Sequence, residues 1–434
     1  MLKRSRRRPV CDFLEERTML SVAHAQLVAH RQEVRIRVAE VRSERAAARM
    51  DARLGRSDPA AVATTSTSSG GTSGSVVGGG LLAFGTPLTN SEFDLFQQVA
   101  INDNAVAFLT QLEGLKGTTA SLQQASATVL NDARDLSLLA THTAQTLGVS
   151  LPAFLQGSAY TAVQKAALAT NGGSFETAYI SALNTIGTSL TSELQMLSAS
   201  GINSTLSTFA ATATPIVQTD LAAIKTVATG GTNPLTPVST TPSSSTLSST
   251  DLSTAETMYS YNTSEAFLGQ LAALVSTNLQ VQLYGEKLVM DHTMNQLNQG
   301  FYAAATGTYL PASLQGTDIT TAKQVIAAVP TVTTGTGTGA GTGSTGGASS
   351  FDTTYLQAMI TAHEQALSTC ESTATSATNL VLKAFAVSAL PTDLMHLNDA
   401  LFLMRANGGA SHATTSSVRV ADFMGHRTIR ELRR

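Results

Sequence analysis

Tryptophan is absent from this 434-residue chain, and aromatic residues make up only 5% of it. Cysteine occurs twice, at Cys11 and Cys370, which excludes a disulfide framework. Cys370 falls in a helical pattern, where a lone thiol reads as a small apolar core residue. No apolar run reaches the ~18 residues of a membrane-spanning helix, so no transmembrane segment is expected. Strand signals are scarce. The chain has no His-Glu-x-x-His pair, no Gly-x-Ser-x-Gly elbow and no phosphate loop; its Gly-x-Gly runs follow no strand and precede no lysine. These absences favour a binding or structural role over an enzymatic one.

Acidic and basic residues are unevenly distributed. Residues 1–58 hold 14 Lys/Arg against 8 Asp/Glu, residues 59–404 hold 7 against 20, and residues 405–434 hold 6 against 2. The acidic middle is unsuited to nucleic acid. The basic ends suit solvated tails, a targeting segment or contact with an acidic envelope surface. Ala, Leu, Ser and Thr dominate, as in helices joined by polar linkers. Three stretches, 59–90, 230–250 and 331–350, are rich in Ser, Thr and Gly and read as disordered linkers, because they cannot bury enough apolar area to offset their ordering entropy.

What is present is a repetition. At an offset of 159, Phe108, Gln111, Leu112, Leu115, Thr118, Asp132 and Pro152 fall on Phe267, Gln270, Leu271, Leu274, Thr277, Asp291 and Pro311. At an offset of 176, Phe175, Tyr179, Phe209, Pro215 and Leu221 fall on Phe351, Tyr355, Phe385, Pro391 and Leu397. The linker at 331–350 accounts for the change of offset. The chain therefore divides into a basic segment (1–58), a linker (59–90), a first copy (91–229), a linker (230–250), a second copy (251–405) and a basic tail (406–434).

Each copy shows four helical patterns. In the second, Met258, Tyr261, Leu268, Ala272 and Val275 mark one helix at 3–4 spacing. Val281 and Leu288 mark the next. Leu279, Leu283, Met290, Met294, Leu297 and Phe301 form a further face on it, which predicts a largely buried helix. The third starts at Phe351. The fourth contains Pro391, which is expected to kink or briefly break it. Short turns near 276–277 and 373–376 make antiparallel hairpins, and a long connection joins the second helix to the third. The fold class is all-α, two tandem four-helix bundles.

Two resemblances follow. Phe13-Leu14-Glu15-Glu16-Arg17-Thr18-Met19-Leu20-Ser21 resembles the Leu-Glu-x-Arg-x-Leu-Leu-Ser motif near the N-terminus of many exported planctomycete proteins, with Met19 in place of Leu. It implies an extracytoplasmic protein. The second copy carries Val289-Met290-Asp291-His292-Thr293, Leu310-Pro311, Phe351-Asp352-Thr353-Thr354-Tyr355, His363, and Leu390-Pro391 followed by His396. Together these resemble the ferritin-like bacterial envelope family called domain of unknown function 4142. The resemblance implies an extracytoplasmic four-helix bundle and no established activity.

Glu265, His292, His363 and His396 interrupt the apolar stripes of the second copy, one per helix. Their counterparts in the first copy are Val106, Ala133, Gly187 and Asp220, so the fold itself does not require them. Buried polar groups cost ~1–3 kcal/mol when unpaired. Either these four form a hydrogen-bonded network that fixes helix register, or they hold a divalent transition metal such as copper, zinc or iron. Counting from turns near 276 and 375 puts Glu265, His292 and His363 in one layer and His396 roughly 10–13 Å lower, so His396 fits the set least well. Asp291 recurs as Asp132 and reads as a fold residue. Two functions remain open: a non-enzymatic envelope protein that binds a partner or surface, and a metal-binding ferritin-like protein.

Overall fold

The computed structural model describes residues 88–236, 247–330 and 346–407. The segment 1–58 with its export motif and Cys11, residues 59–87, 237–246 and 331–345, and the tail from 408 lie outside the described residues. Among the described residues the fold is all-α, with ten helices and no strand. The first five are α1 (Asn90–Lys116), α2 (Ala120–Leu147), α3 (Gly157–Ala167), α4 (Gly173–Ser200) and α5 (Ser204–Ala228). The second five are α6 (Ser249–Val275), α7 (Leu279–Ala305), α8 (Gly316–Ala327), α9 (Gly346–Ser376) and α10 (Leu380–Ala406).

Local chemistry sets the helix starts. Thr89 and Glu92 form a capping box on α1, and Asn203, Ser248 and Asn379 cap α5, α6 and α10 through side-chain oxygens. The short helices α3 and α8 fold within what the periodicity showed only as long connections. Each buries a small apolar face, Ala159, Val163, Ala166 and Ala167 in one, Ala322, Val325 and Ile326 in the other. Proline does not interrupt α10, which runs through Pro391. The missing N–H leaves the carbonyl of Val387 without its ladder partner, and the remaining turns carry the helix on.

In the second five, α6 pairs with α7 and α9 with α10, while α6 lies against α9 and α7 against α10. The two hairpins run in opposite directions. Ser276 Oγ donates to Asp352 Oδ1 at 2.6 Å and Asn278 Nδ2 donates to Asn407 Oδ1 at 2.9 Å, so the α6–α7 turn sits where α9 begins and α10 ends. At the far end, Thr378 N donates to Asp251 Oδ1, which places the α9–α10 turn beside the start of α6. Helix α10 is the one described helix long and apolar enough to cross a membrane. It packs against α9 and α7 and buries Asp393 and His396, which suits a bundle helix.

Two features of α7 depart from expectation. Its second apolar face is not buried: Leu279, Leu283, Met290 and Met294 are 50–65% exposed. Only the far end of that face is covered, where Phe301 packs with Leu138 of α2. Helix α7 also approaches α6 unusually closely, at Gly269 and Gly285. A Cβ on Gly285 would lie 2.4 Å from the carbonyl oxygen of Gly269, and one on Gly269 would lie 2.7 Å from that of Gly285. Backbone cannot yield as a flexible side chain does. Gly285→Ala is therefore expected to cost about 1–3 kcal/mol, measured by denaturant unfolding.

The two sets of five helices meet at a reciprocal contact. Phe108 stacks on Phe267 with ring centroids 5.0 Å apart. Gln270 Oε1 accepts from Leu155 N at 3.4 Å, and Gln111 Oε1 accepts from Leu314 N at 3.1 Å. Each member of one hydrogen bond is offset by 159 from its equivalent in the other, as in an isologous interface. Half-buried Arg134 donates across the same contact to Gln296, and Tyr309 Oη donates to Asn131 Oδ1 at 2.8 Å.

Candidate metal centre

The opposed hairpins place the candidate residues on one level. From the end shared by Ser276, Asn278, Asp352 and Asn407, Glu265 lies about 11 residues in, His292 about 14, His363 about 11 and His396 about 11. At ~1.5 Å per residue this spread is within about 5 Å. The expected drop of His396 is thus overturned. That expectation put both hairpin turns at the same end, whereas α10 reaches this level from its C-terminal side. His396 Nδ1 is 3.1 Å from His292 Nε2. His292, His363 and His396 each offer a nitrogen within 4.8 Å of the others. All three rings and Glu265 are no more than 1% exposed.

The partners of each ring fix its tautomer. His363 Nδ1 lies 2.8 Å from the Met359 carbonyl oxygen, which only accepts, so this nitrogen carries the proton. His396 Nε2 lies 2.9 Å from Asp291 Oδ2 and donates to that carboxylate. Asn262 Nδ2 donates to Met258 O, which turns Asn262 Oδ1 toward His292 Nδ1 at 2.9 Å and makes that nitrogen a donor too. Every outward nitrogen is thus an N–H. Of the other nitrogens, His292 Nε2 and His396 Nδ1 present lone pairs to each other at 3.1 Å, and His363 Nε2 is buried with no hydrogen-bond partner. Burial holds the three imidazoles neutral: it lowers His292 and His363 to about 4 and His396 to about 3. Neutral imidazole is the form that binds metal.

Glu265 faces the other side of these rings. Its Oε2 lies 2.9 Å from His292 Nδ1 and its Oε1 lies 3.7 Å from His363 Nδ1. Burial raises its pKa, against the opposing pull of His363. Two residues join the cluster that sequence reasoning missed or read otherwise. Asp291, taken as a fold residue, is the partner of His396. Asp393 offers an oxygen within 4.8 Å of both a Glu265 oxygen and a His292 nitrogen. It lies one helical turn before His396, and the offset of 176 sets it against Val217, so the same comparison that exposed the histidines carried its signal too. Cys370 Sγ donates to Asp393 Oδ2 at 3.7 Å.

The close helix approach also alters this site. Tyr179 Oη is 2.6 Å from Ser126 Oγ. At the offset positions stand Tyr355 and Gly285, so the glycine that admits α6 removes the hydroxyl partner, and buried Tyr355 Oη has none.

Residues 236–331 and 342–403 match the family model described as Domain of unknown function (DUF4142). This match spans the second five helices up to residue 403 and includes every residue of the cluster, and it agrees with the family that the motifs of this part of the chain resemble. No curated protein and no solved structure matches the chain.

Proposed function

We propose that this protein binds a divalent transition metal in its second bundle, through His292 Nε2, His363 Nε2 and His396 Nδ1. The observation that carries this reading is that three buried histidines each bring a nitrogen within 4.8 Å of the others while each ring gives its proton to a separate acceptor. Without a cation, that arrangement sets acceptor against acceptor. With one, the ring partners Met359 O, Asp291 and Asn262 become the groups that orient the ligands and raise their basicity. Glu265, the fourth residue of the sequence-derived set, supports His292 and supplies compensating charge. Imidazole donors suit zinc, copper or iron.

The chain is read as a duplication of one bundle, supported by the two offsets, the matching order of long and short helices, and the reciprocal glutamine contacts. The first bundle, with Ala133, Gly187 and Asp220 in the histidine positions, serves as a scaffold. The ferritin-like relationship and an extracytoplasmic location belong to the same reading. They are supported by the family resemblance and by the motif at Leu14–Ser21, and cell fractionation with N-terminal sequencing tests the location. Zn(II) titrated calorimetrically into metal-stripped full-length protein is expected to bind at the histidine site. Asp291→Asn is expected to weaken that binding by about 10–100-fold, as loss of an outer carboxylate does. Absence of saturable heat in the wild type would remove the proposal.

A further inference from the structure

Helices α7 and α10 share an apolar face that the described residues leave exposed. Of the nine large apolar side chains exposed among the described residues, six lie on it: Leu279, Leu283, Met290 and Met294 of α7, and Met395 and Phe402 of α10. Spacings of 4, 7 and 4 on α7 and of 7 on α10 put each set on one stripe. Contacts between the helices fix their register. Lys287 Nζ lies 2.7 Å from Asp399 Oδ2, and Asp291 Oδ2 lies 2.9 Å from His396 Nε2. Leu283 is therefore level with Phe402, and Met290 with Met395, on either side of the Lys287–Asp399 pair. We propose that this face is a self-association surface, through which two copies of the chain pair about a twofold axis. The proposal does not depend on the metal-binding reading.

Three observations support it. First, the fold does not require the face. At the offsets of 159 and 176 the first bundle has Ala120, Gln124, Asn131 and Asp135 on α2, and Thr219 and Thr226 on α5. Each large apolar residue is small or polar there, as suits a surface that stays in water. Second, the face continues an interface that already exists. Further along α7, Leu297 and Phe301 of the same stripe pack with Leu138 of α2. Leu138 and Leu297 are themselves offset by 159, so this contact joins equivalent parts of the two bundles. The rest of α2 has only Gln124, Asn131 and Asp135 to set against the rest of the stripe. The surface whose chemistry matches the remainder is the same face of a second chain, and pairing like with like makes an isologous contact. Third, the area is sufficient. At about 200 Å² for a large side chain, six residues 41–66% exposed present on the order of 600 Å². That is the top of the range for the largest apolar patch of a monomer, and with its polar rim it approaches the ~800 Å² that each partner gives to a stable interface.

Charge fits the same arrangement. With the axis along the seam between the helices, α7 of each copy lies on α10 of the other, and Lys287 meets Asp399 of the second copy. Both side chains are partly exposed, at 35% and 44%. Pairing also covers Asp291, the 36%-exposed acceptor of His396, and so closes a solvent-facing edge of the histidine cluster.

Sedimentation equilibrium on the full-length chain tests this. At about 100 μM the wild type is expected at twice its 45.0 kDa mass. Leu283→Glu with Phe402→Glu puts carboxylates at the centre of the contact and should weaken pairing by about 100-fold. Both positions face solvent within a chain, so the fold should persist, as circular dichroism would show. Met290→Glu with Met294→Glu is a second variant, read in the same way. Gln124→Glu with Thr226→Glu, at the matching places of the first bundle, should leave the dimer intact. A wild type that stays monomeric overturns the proposal, whether the segment after residue 407, another protein or water then covers the face. A dimer that survives both apolar-face variants overturns it too, because the copies then meet elsewhere. So does a dimer that the first-bundle variant dissociates equally.

Discussion

Replacing His292 and His363 together by alanine should abolish the thermal stabilisation that metal gives this protein. A ligand at 1,000 times its dissociation constant stabilises the folded state by about 4.1 kcal/mol. For bundles of this size each kcal/mol moves the melting temperature by roughly 2–4 °C. Wild-type protein in excess Zn(II) should therefore melt on the order of 10 °C above its stripped form, and the double variant should show no difference between the two. The comparison is within each variant, so the cavity left by the missing rings cancels. A double variant that keeps the full shift would place the bound metal elsewhere.

Glu113→Gln should stabilise the first bundle, with a defined pH dependence. Glu113 is fully buried on α1 and neither carboxylate oxygen has a hydrogen-bond partner. Burial, reinforced by the charge of Glu176, raises its pKa from 4.5 to about 8. Folding therefore favours the neutral acid. The stability associated with it is fully present below about pH 4.5 and is lost as pH rises through about 8. Glutamine never ionises, so the variant and the wild type should match near pH 4 and diverge as pH rises. At pH 7 the variant should be more stable by on the order of 3 kcal/mol, since pH 7 lies about 2.5 units above 4.5 and each unit is worth about 1.4 kcal/mol. Denaturant unfolding at pH 4, 7 and 8.5 reads this directly; a gap that does not grow with pH would contradict it. Nearby Lys116, lowered by burial to about 8, stays the same in both proteins, and its ammonium donates to the carbonyls of Ala167 and Ala169.

Much of this was legible because the chain provides its own comparison. Glu265, His292, His363 and His396 emerged as polar interruptions of apolar stripes that the other copy fills with Val106, Ala133 and Gly187. The caps Thr89, Asn203, Ser248 and Asn379 are residue types that favour helix starts, but periodicity alone does not single them out. What could not be read was how the hairpins face each other. Periodicity fixes which side of a helix is apolar but not which end of one hairpin meets which end of the next, and that choice moved His396 from outlier to ligand. The same limit hid Asp291, whose partner comes from a helix about 100 residues later. The exchange of Asp393 for Val217 has the same form as the histidine exchanges and is legible by the same comparison. The apolar face of α7 read as buried because apolar residues usually are; its exposure at Leu279, Leu283, Met290 and Met294 depends on where the first bundle stops covering it. Gly269 and Gly285 carry no sequence signal beyond weak helix propensity, and only the backbone approach shows why no side chain fits there.

A cation held by three histidines is the central claim, and anomalous diffraction at the zinc edge from crystals of the Zn(II)-loaded chain tests it most directly. It predicts a peak about 2.0–2.1 Å from each of His292 Nε2, His363 Nε2 and His396 Nδ1. A metal-loaded crystal with no peak there, and the three rings joined only by hydrogen bonds, would contradict it.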